Sequence, residues 1–508
     1  MKPRIQFWIF VLTSLVAYGG MVALDWRTGE LGEESTPHYI GWYLLAFFSY
    51  VGLILWAERG HPIPWRWVWV GAVLARLLLL LTEPTLSTDV YRYIWDGHVA
   101  ANGVSPYAYP IESSELDYLA VPVRDLANHT WMASPYMPAA QWVFASLASV
   151  FPLQPLYYQM VMIVFDLAAA ALMWQLLQMA VLPTRRLLIY LWNPLVIVEI
   201  AHGAHIDAWM ILLTMLTLWL FLRPNRSLRA AEPMANSLSH FSEPINGQTA
   251  LDRSTSQKGT QLVQQGVSAV LLALATLTKL VPVLLLPIFF WRWRWWTLVL
   301  YGVLVVGLLI PAGLNAGWGL TGELDGHGLF GALRIYGDQW NYNSGLFHWI
   351  ELGLKNQGIV EFNEWAKRIV AALLIGTLLL VWLAARRATE PRQILRLCSI
   401  PMMAYALLSA TVHPWYILIV LAFLPFLTPG KGDSPRYWLF VLPWIYLSGA
   451  IVFSYLTYVN PQDLREYEWI RLTEWVPTIG LLVVYAILLV VETDQRPIRE
   501  KVGSGAKP

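Results

Sequence analysis

The chain has little charge, almost no cysteine and none of the loops that mark the common soluble catalysts. Asp, Glu, Lys and Arg make up 13% of its 508 residues, about half of what a water-exposed surface requires. A single cysteine, Cys398, excludes an internal disulfide framework and any cysteine-built metal cluster. A net charge of +1 provides no basic footprint for nucleic acid. No Walker-type loop and no glycine-rich strand-to-helix turn offers a nucleotide-phosphate cradle. Neither a nucleophile elbow nor a His-Glu-x-x-His helix points to a hydrolase.

Apolar runs are abundant. Hydrophobic residues form 57% of the chain, and 28 Trp and 24 Tyr accompany them; such amphipathic rings collect at the lipid headgroup level. Apolar stretches lie at residues 5–24, 39–56, 65–82, 156–181, 187–201, 208–222, 262–278, 280–290, 297–314, 366–385, 395–412, 416–427, 437–458 and 475–491. The expected fold is an all-α polytopic membrane protein with about fourteen spans, or eleven if short ones pair. Several are shorter than the ~20 residues that a perpendicular span needs. The segments 187–222 and 262–290 are therefore expected as tight helical pairs or partly re-entrant segments.

Most Lys and Arg fall on one side of these spans, which places both termini in the cytoplasm of a plasma (inner) membrane. The chain then divides into two N-terminal spans (1–64), a module carrying a long loop (65–222, loop 83–136), a polar linker, a second module (262–491, loop 315–365) and a tail (492–508). The linker, 223–261, is rich in Ser, Asn and Gln, lacks a hydrophobic period and reads as disordered. Loops longer than about 15 residues are usually functional or disordered. The aromatics in 83–136 and 315–365 argue for function, on the extracytoplasmic side.

Residues 87–99 of the first loop have the spacing of a short helix, with Ser87 or Thr88 as a cap and Asn102-Gly103 as a stop. Val90 and Ile94 form an apolar stripe that suits the membrane plane. Asp89, Arg92, Tyr93 and Asp96 fall opposite. One reading is a salt-bridged helix with Arg92 between Asp89 and Asp96. The other makes Asp89 a general base at the lip of a membrane cavity, taking the proton of an attacking hydroxyl.

The run from Thr88 to Tyr109, TDVYRYIWDGHVAANGVSPYAY, resembles the first luminal loop of GT-C superfamily glycosyltransferases, nearest to their bacterial and archaeal mannosyltransferase-like members. Similar elements follow in order: Trp192-Asn193-Pro194, His202-Gly203-Ala204-His205-Ile206-Asp207, Lys279-Leu280-Val281-Pro282, Trp340-Asn341-Tyr342-Asn343 and His413-Pro414-Trp415-Tyr416. Two departures stand out. The acidic loop follows the third span, where many relatives have it after the first, and His205 is one place off a strict Gly-His pairing. The resemblance implies a polyprenyl-phosphate sugar donor, mannose as the sugar, and a glycan, lipid or protein acceptor. In this reading Asp89 is catalytic and Lys279, Arg334 and His413 hold the donor phosphate. Arg92, Tyr93, Asp96, His202, His205, Asp207, Trp340, Asn343 and Tyr416 position substrate.

Each residue also has a plainer reading. Lys279 can simply snorkel to the interface, and Trp340 and Tyr416 can belong to the aromatic belt. Arg76 and Asp166 read as a buried structural pair. His202 and His205 share a helix face at i,i+3, and with Glu199 and Asp207 they invite a divalent metal, but substrate hydrogen bonding is preferred and no cofactor is expected. The rival class is a transporter or flippase, because broken helices also mark transport sites. Against it stand the lack of an inverted repeat and the concentration of polar aromatics outside the bilayer.

Overall fold

The computed structural model describes residues 2–503 apart from 30, 31, 33, 224–249, 322–325, 429–436 and 460–465. No strand occurs among the described residues. The helices are α1 Pro3–Thr28, α2 Ser35–Glu58, α3 Trp65–Leu79, α4 Asp89–Ala101, α5 Pro138–Val150, α6 Pro155–Met179, α7 Leu188–Leu191, α8 Pro194–Ala201 and α9 Asp207–Leu222. After these come α10 Ala250–Thr276, α11 Leu286–Phe289, α12 Trp295–Ala316, α13 Gly331–Gln339, α14 Leu346–Asn356 and α15 Phe362–Ala385. The last four are α16 Pro391–Leu408, α17 Leu418–Leu427, α18 Tyr437–Ala450 and α19 Glu468–Gly503.

Among the described residues, seven helical stretches are long and apolar enough to cross a bilayer: Pro3–Thr28, Ser35–Glu58, Pro155–Met179, Trp295–Ala316, Phe362–Ala385, Trp438–Tyr458 and Glu468–Leu488. The protein is an all-helical, polytopic membrane protein. On α1, Phe7, Val11, Ser14, Ala17, Tyr18, Met21 and Val22 form the buried stripe. Ile5, Ile9, Leu12 and Val16 on the other face are exposed and equally apolar. On α15, Leu373, Ile375, Leu379, Leu380 and Leu383 are also bare. A helix that is apolar all round needs hydrocarbon on its outer side.

The other expected spans are shorter. Residues 187–222 form α7, α8 and α9, interrupted at Trp192-Asn193 and again between Ala201 and Asp207. Residues 262–290 form the end of α10, a 3-10 turn at Val281–Leu285 and α11. Helix α10 begins at Ala250, inside the segment read from sequence as a linker, whose residues 224–249 lie outside the described residues, as do tail residues 504–508.

The centre of the bundle is α7, α8 and α17, in which every residue is buried. Pro194 opens α8 and Asn193 caps it, accepting from Leu195 N at 2.9 Å. The Asn193 amide also donates to Tyr50 (3.2 Å) and Ser448 (3.0 Å). The Asn-Pro element therefore serves the fold by restarting a helix deep in the protein. Arg76 and Asp166 form the expected pair at 2.6 Å, both fully buried, and Tyr190 donates to the second Asp166 oxygen at 2.7 Å. Burial of charge in this manner is tolerated only when partners replace water.

Helix α4 is sunk in the protein. Val90, Ile94 and Trp95 are buried, but so are Arg92, Tyr93 and Asp96. The expectation that α4 lies on the membrane plane is therefore corrected: α5 and the loop 102–137 cover it. Gly97 permits this, because a Cβ there would stand 2.4 Å from the Phe144 carbonyl oxygen. Gly103, with φ +80°, supplies the left-handed stop.

Candidate functional site

Asp89 is the first residue of α4, and its backbone N–H donates to Ser87 Oγ at 3.3 Å. Its carboxylate has two polar neighbours. Asn128 donates to Oδ1 at 2.7 Å, and Oδ2 faces His205 Nδ1 at 3.8 Å. Arg92 does not bridge Asp89 and Asp96. It pairs with Asp96 at 3.0 Å and donates to the carbonyls of Asn128, His129 and Met132. Asp96 in turn accepts from Ser134 and from Gln141 (3.2 Å). Arg92 and Asp96 thus hold the loop that delivers Asn128 to Asp89. Tyr93 stacks on Phe144 at 4.5 Å, and its hydroxyl is directed at Tyr136 and the Ile206 backbone.

The break between α8 and α9 separates the two histidines expected on one helix face. His202 turns toward the end of α3. Thr85 N–H donates to its Nε2 at 3.1 Å, and Nδ1 lies 2.8 Å from Thr82 Oγ1. The network therefore assigns the proton to Nδ1 of a neutral ring. His205 turns the other way, toward Asp89 and Glu199. Among the described residues, no cluster of three or more His, Cys, Asp or Glu is arranged to hold a metal.

A continuous stack of rings leaves His205. Trp415 lies 4.2 Å from it, His413 lies 4.5 Å beyond at an interplanar angle of 3°, and Tyr342 follows at 4.8 Å. His413 Nδ1 is 3.2 Å from the Tyr458 hydroxyl. Two sequence elements are joined here: Tyr342 N donates to Ala410 O (3.1 Å) and Val412 N to Tyr342 O (2.9 Å). Tyr416 packs edge-on to His413 at 5.3 Å, and the Lys279 ammonium stands 5.1 Å over its ring. Lys279 is bonded to Asp207, the first residue of α9, at 2.6 Å.

The chain of contacts from Asp89 to Lys279 gathers six of the expected residues: Asp89, His205, His413, Tyr416, Lys279 and Asp207. Trp340 closes another side, 4.7 Å from His129 and 4.0 Å from Tyr336. Asn343 and Arg334, like His202, have other partners. The Asn343 amide donates to Glu474 at 2.6 Å, and its carbonyl accepts from Trp475 at 3.0 Å. Arg334 donates to Gly319 O at 3.1 Å within its own loop, two residues from Tyr336.

Exposure ranks the charges. The side chains of Glu199, Asp207 and Asp96 retain 2–3% of their surface, whereas Asp89 retains 15% and Lys279 21%. Asp89 and Lys279 are therefore the least buried charges among these five. Around them, burial first and the Asp89 charge second push the hydroxyls of Tyr136 and Tyr336 up, so both stay protonated as donors.

Sequence reasoning missed Asn128, His129, Tyr136, Tyr336, Tyr455 and Tyr458. Their only signal was polar and aromatic content within the long loops and near a span end.

The structure thus joins a polytopic all-helical fold to a partly exposed carboxylate at the start of a loop helix. Residues 25–295, more than half of the chain, match the sequence profile of the MptA_B family, described as the alpha-(1->6)-mannopyranosyltransferase N-terminal domain. The chain belongs to this family and is a mannosyl-transferring membrane glycosyltransferase. That membership sets aside the transporter reading. No curated protein and no solved structure matches the chain.

Proposed function

We propose that the protein transfers mannose from a polyprenyl-phosphate donor to a hydroxyl of a glycan acceptor, on the extracytoplasmic face of the plasma (inner) membrane. The family description makes an α-(1→6) bond the reading for the product, with a primary hydroxyl as acceptor. Asp89 takes the proton of that hydroxyl as its oxygen attacks the anomeric carbon. The bond from that carbon to the phosphate oxygen breaks, and polyprenyl phosphate leaves. A single displacement inverts the centre, so a β-linked donor gives an α-linked product.

Lys279 and His413 serve the leaving phosphate, since fixed donors aimed at developing charge contribute most in a water-poor site. Arg334 acts as an outer phosphate ligand after a rotation that releases Gly319. Trp340 and Tyr416 border the sugar. Tyr93, Arg92, Asp96, His202 and Asn343 act one step removed, by fixing the segments that carry the site. The donor class is favoured by the mixed surroundings, in which apolar helices flank an open ammonium. No metal is assigned a role.

The observation that carries this reading is the exposure of Asp89 against the burial of every other carboxylate in the cluster. Purified protein given radiolabelled β-mannosyl polyprenyl phosphate and an α-mannoside acceptor should release lipid phosphate and form an α-mannoside. Asp89→Asn should lose at least ~10²-fold in turnover, the low end for removal of a general base. Native turnover in that variant would overturn the assignment.

A further inference from the structure

His205 carries a carboxylate at each ring nitrogen. Nδ1 is 3.8 Å from Asp89 Oδ2, and Nε2 is 3.2 Å from Glu199 Oε2. The ring is fully buried, yet neither nitrogen forms an aligned hydrogen bond. A buried imidazole with both polar atoms unsatisfied is costly, and a role in proton transfer is one explanation for its presence.

The surroundings hold this arrangement firmly. Trp415 covers one face of the ring at 4.2 Å and 18°. Tyr455 donates to the other Glu199 oxygen at 2.6 Å, leaving Oε2 for His205. The backbone is shaped for it as well: Ala204 has φ +54°, and a Cβ on Gly203 would stand 2.8 Å from Glu199 O and 3.0 Å from the ring nitrogen. A left-handed non-glycine residue is strained and persists only where the fold over-determines it.

We propose that Asp89, His205 and Glu199 form a proton relay leading inward from the acceptor; this rests on Asp89 being the base. With the ring proton on Nε2, the nitrogen nearer Glu199, the Nδ1 lone pair is left on the Asp89 side. The acceptor O–H bond breaks and an Asp89 O–H bond forms. That bond then breaks as Nδ1–H forms, giving an imidazolium between two carboxylates and returning Asp89 to its anionic state. When product leaves, the proton passes back through Asp89 to entering water. The Glu199 carboxylate at Nε2 stabilises the cation that forms. The 3.8 Å gap closes when Asp89 gains a proton to donate, as contacts in unliganded sites commonly tighten during reaction. His205 and Glu199 are positioning residues that act through Asp89.

The test is a double-variant cycle read in kcat and donor KM separately. His205→Gln should lower kcat by roughly 30- to 100-fold, within the range for a proton-transfer group, with donor KM changed less than about threefold. Glu199→Gln should lower kcat about tenfold. The pair Asp89→Asn with His205→Gln should be no slower than Asp89→Asn alone by more than about twofold, because residues of one unit are not additive. Native kcat in both His205→Gln and Glu199→Gln, beside an inactive Asp89→Asn, overturns the relay and leaves the base standing. Losses that multiply in the double variant also overturn it. Native activity in Asp89→Asn overturns the base itself and the relay with it. If His205→Gln fails to assemble in detergent, Glu199→Gln decides: reduced kcat at unchanged KM supports the relay, and native kcat overturns it.

Discussion

The ammonium of Lys279 lies 2.6 Å from the Asp207 carboxylate, with the lysine partly open and the aspartate buried. Asp207 occupies the N-terminus of α9, where the helix dipole also favours an anion. The pair has two separable tasks, since it joins the end of α10 to α9 and presents a positive charge to the site. Lys279→Met leaves a buried carboxylate unpaired and should lower both stability and activity. Adding Asp207→Asn should restore the thermal midpoint toward native while donor KM stays raised at least about tenfold, the equivalent of one charge-assisted hydrogen bond. Recovery of full activity in the double variant would reduce Lys279 to a structural residue.

Arg92 offers a cleaner case of structure supporting chemistry. It is 1% exposed, pairs with Asp96 and donates to three loop carbonyls. Arg92→Ala strands a buried carboxylate and frees the segment bearing Asn128, which should destabilise the protein by about 3–5 kcal/mol. Arg92→Lys should recover little, because an ammonium cannot reproduce the planar fork. Thermal unfolding in detergent measures both, and a stability loss under about 1 kcal/mol, the level of an exposed pair, would contradict the account.

Composition made the membrane class legible, because apolar surface on every side of α1 and α15 has no other solvent. The residue pattern of the first loop also located Asp89 at the start of a short helix, where the structure has it. The length of the spans was less visible. Helices α7, α8 and α17 are too short to cross a bilayer and are shielded by other helices, and hydropathy does not distinguish protein from lipid as apolar surroundings. The pairing of His202 and His205 misled for a backbone reason: i,i+3 spacing assumes a continuous helix, and Ala204 turns left-handed. Asn128 and Tyr455 had no local pattern, since each meets the site through contacts across 39 and 256 residues.

Three of the carboxylates at the site already have cationic or N–H partners. Asp89 accepts from Asn128, Asp207 from Lys279 and Asp96 from Arg92. A divalent ion would have to displace those donors, and its usual oxygen set would need several free ligands. Turnover should therefore be unchanged by a chelator and unaffected by added Mg²⁺ or Mn²⁺. A chelator-induced loss reversed by one of these ions would overturn the cofactor-free reading.

His129 gives the site loop a pH response with a definite sign. Burial lowers its pKa below the ordinary 6.5, and although Asp89 works in the opposite direction, Arg92 lowers it further. Its carbonyl accepts from Arg92, its φ is +51°, and its ring packs on Trp340 at 4.7 Å, so it is fixed in the closed loop. Between 6.5 and the lower folded value, the open loop takes up a proton that the closed loop refuses. Stability of the closed loop therefore falls as pH drops through 6.5 and levels off below the folded pKa. Hydrogen exchange of residues 125–133, corrected for the intrinsic rate, should show less protection at pH 5.5 than at pH 7.5. His129→Gln should flatten that difference, since glutamine does not titrate. Equal protection at both pH values in the native protein would show that the ring is not held in the apolar contact that lowers its pKa.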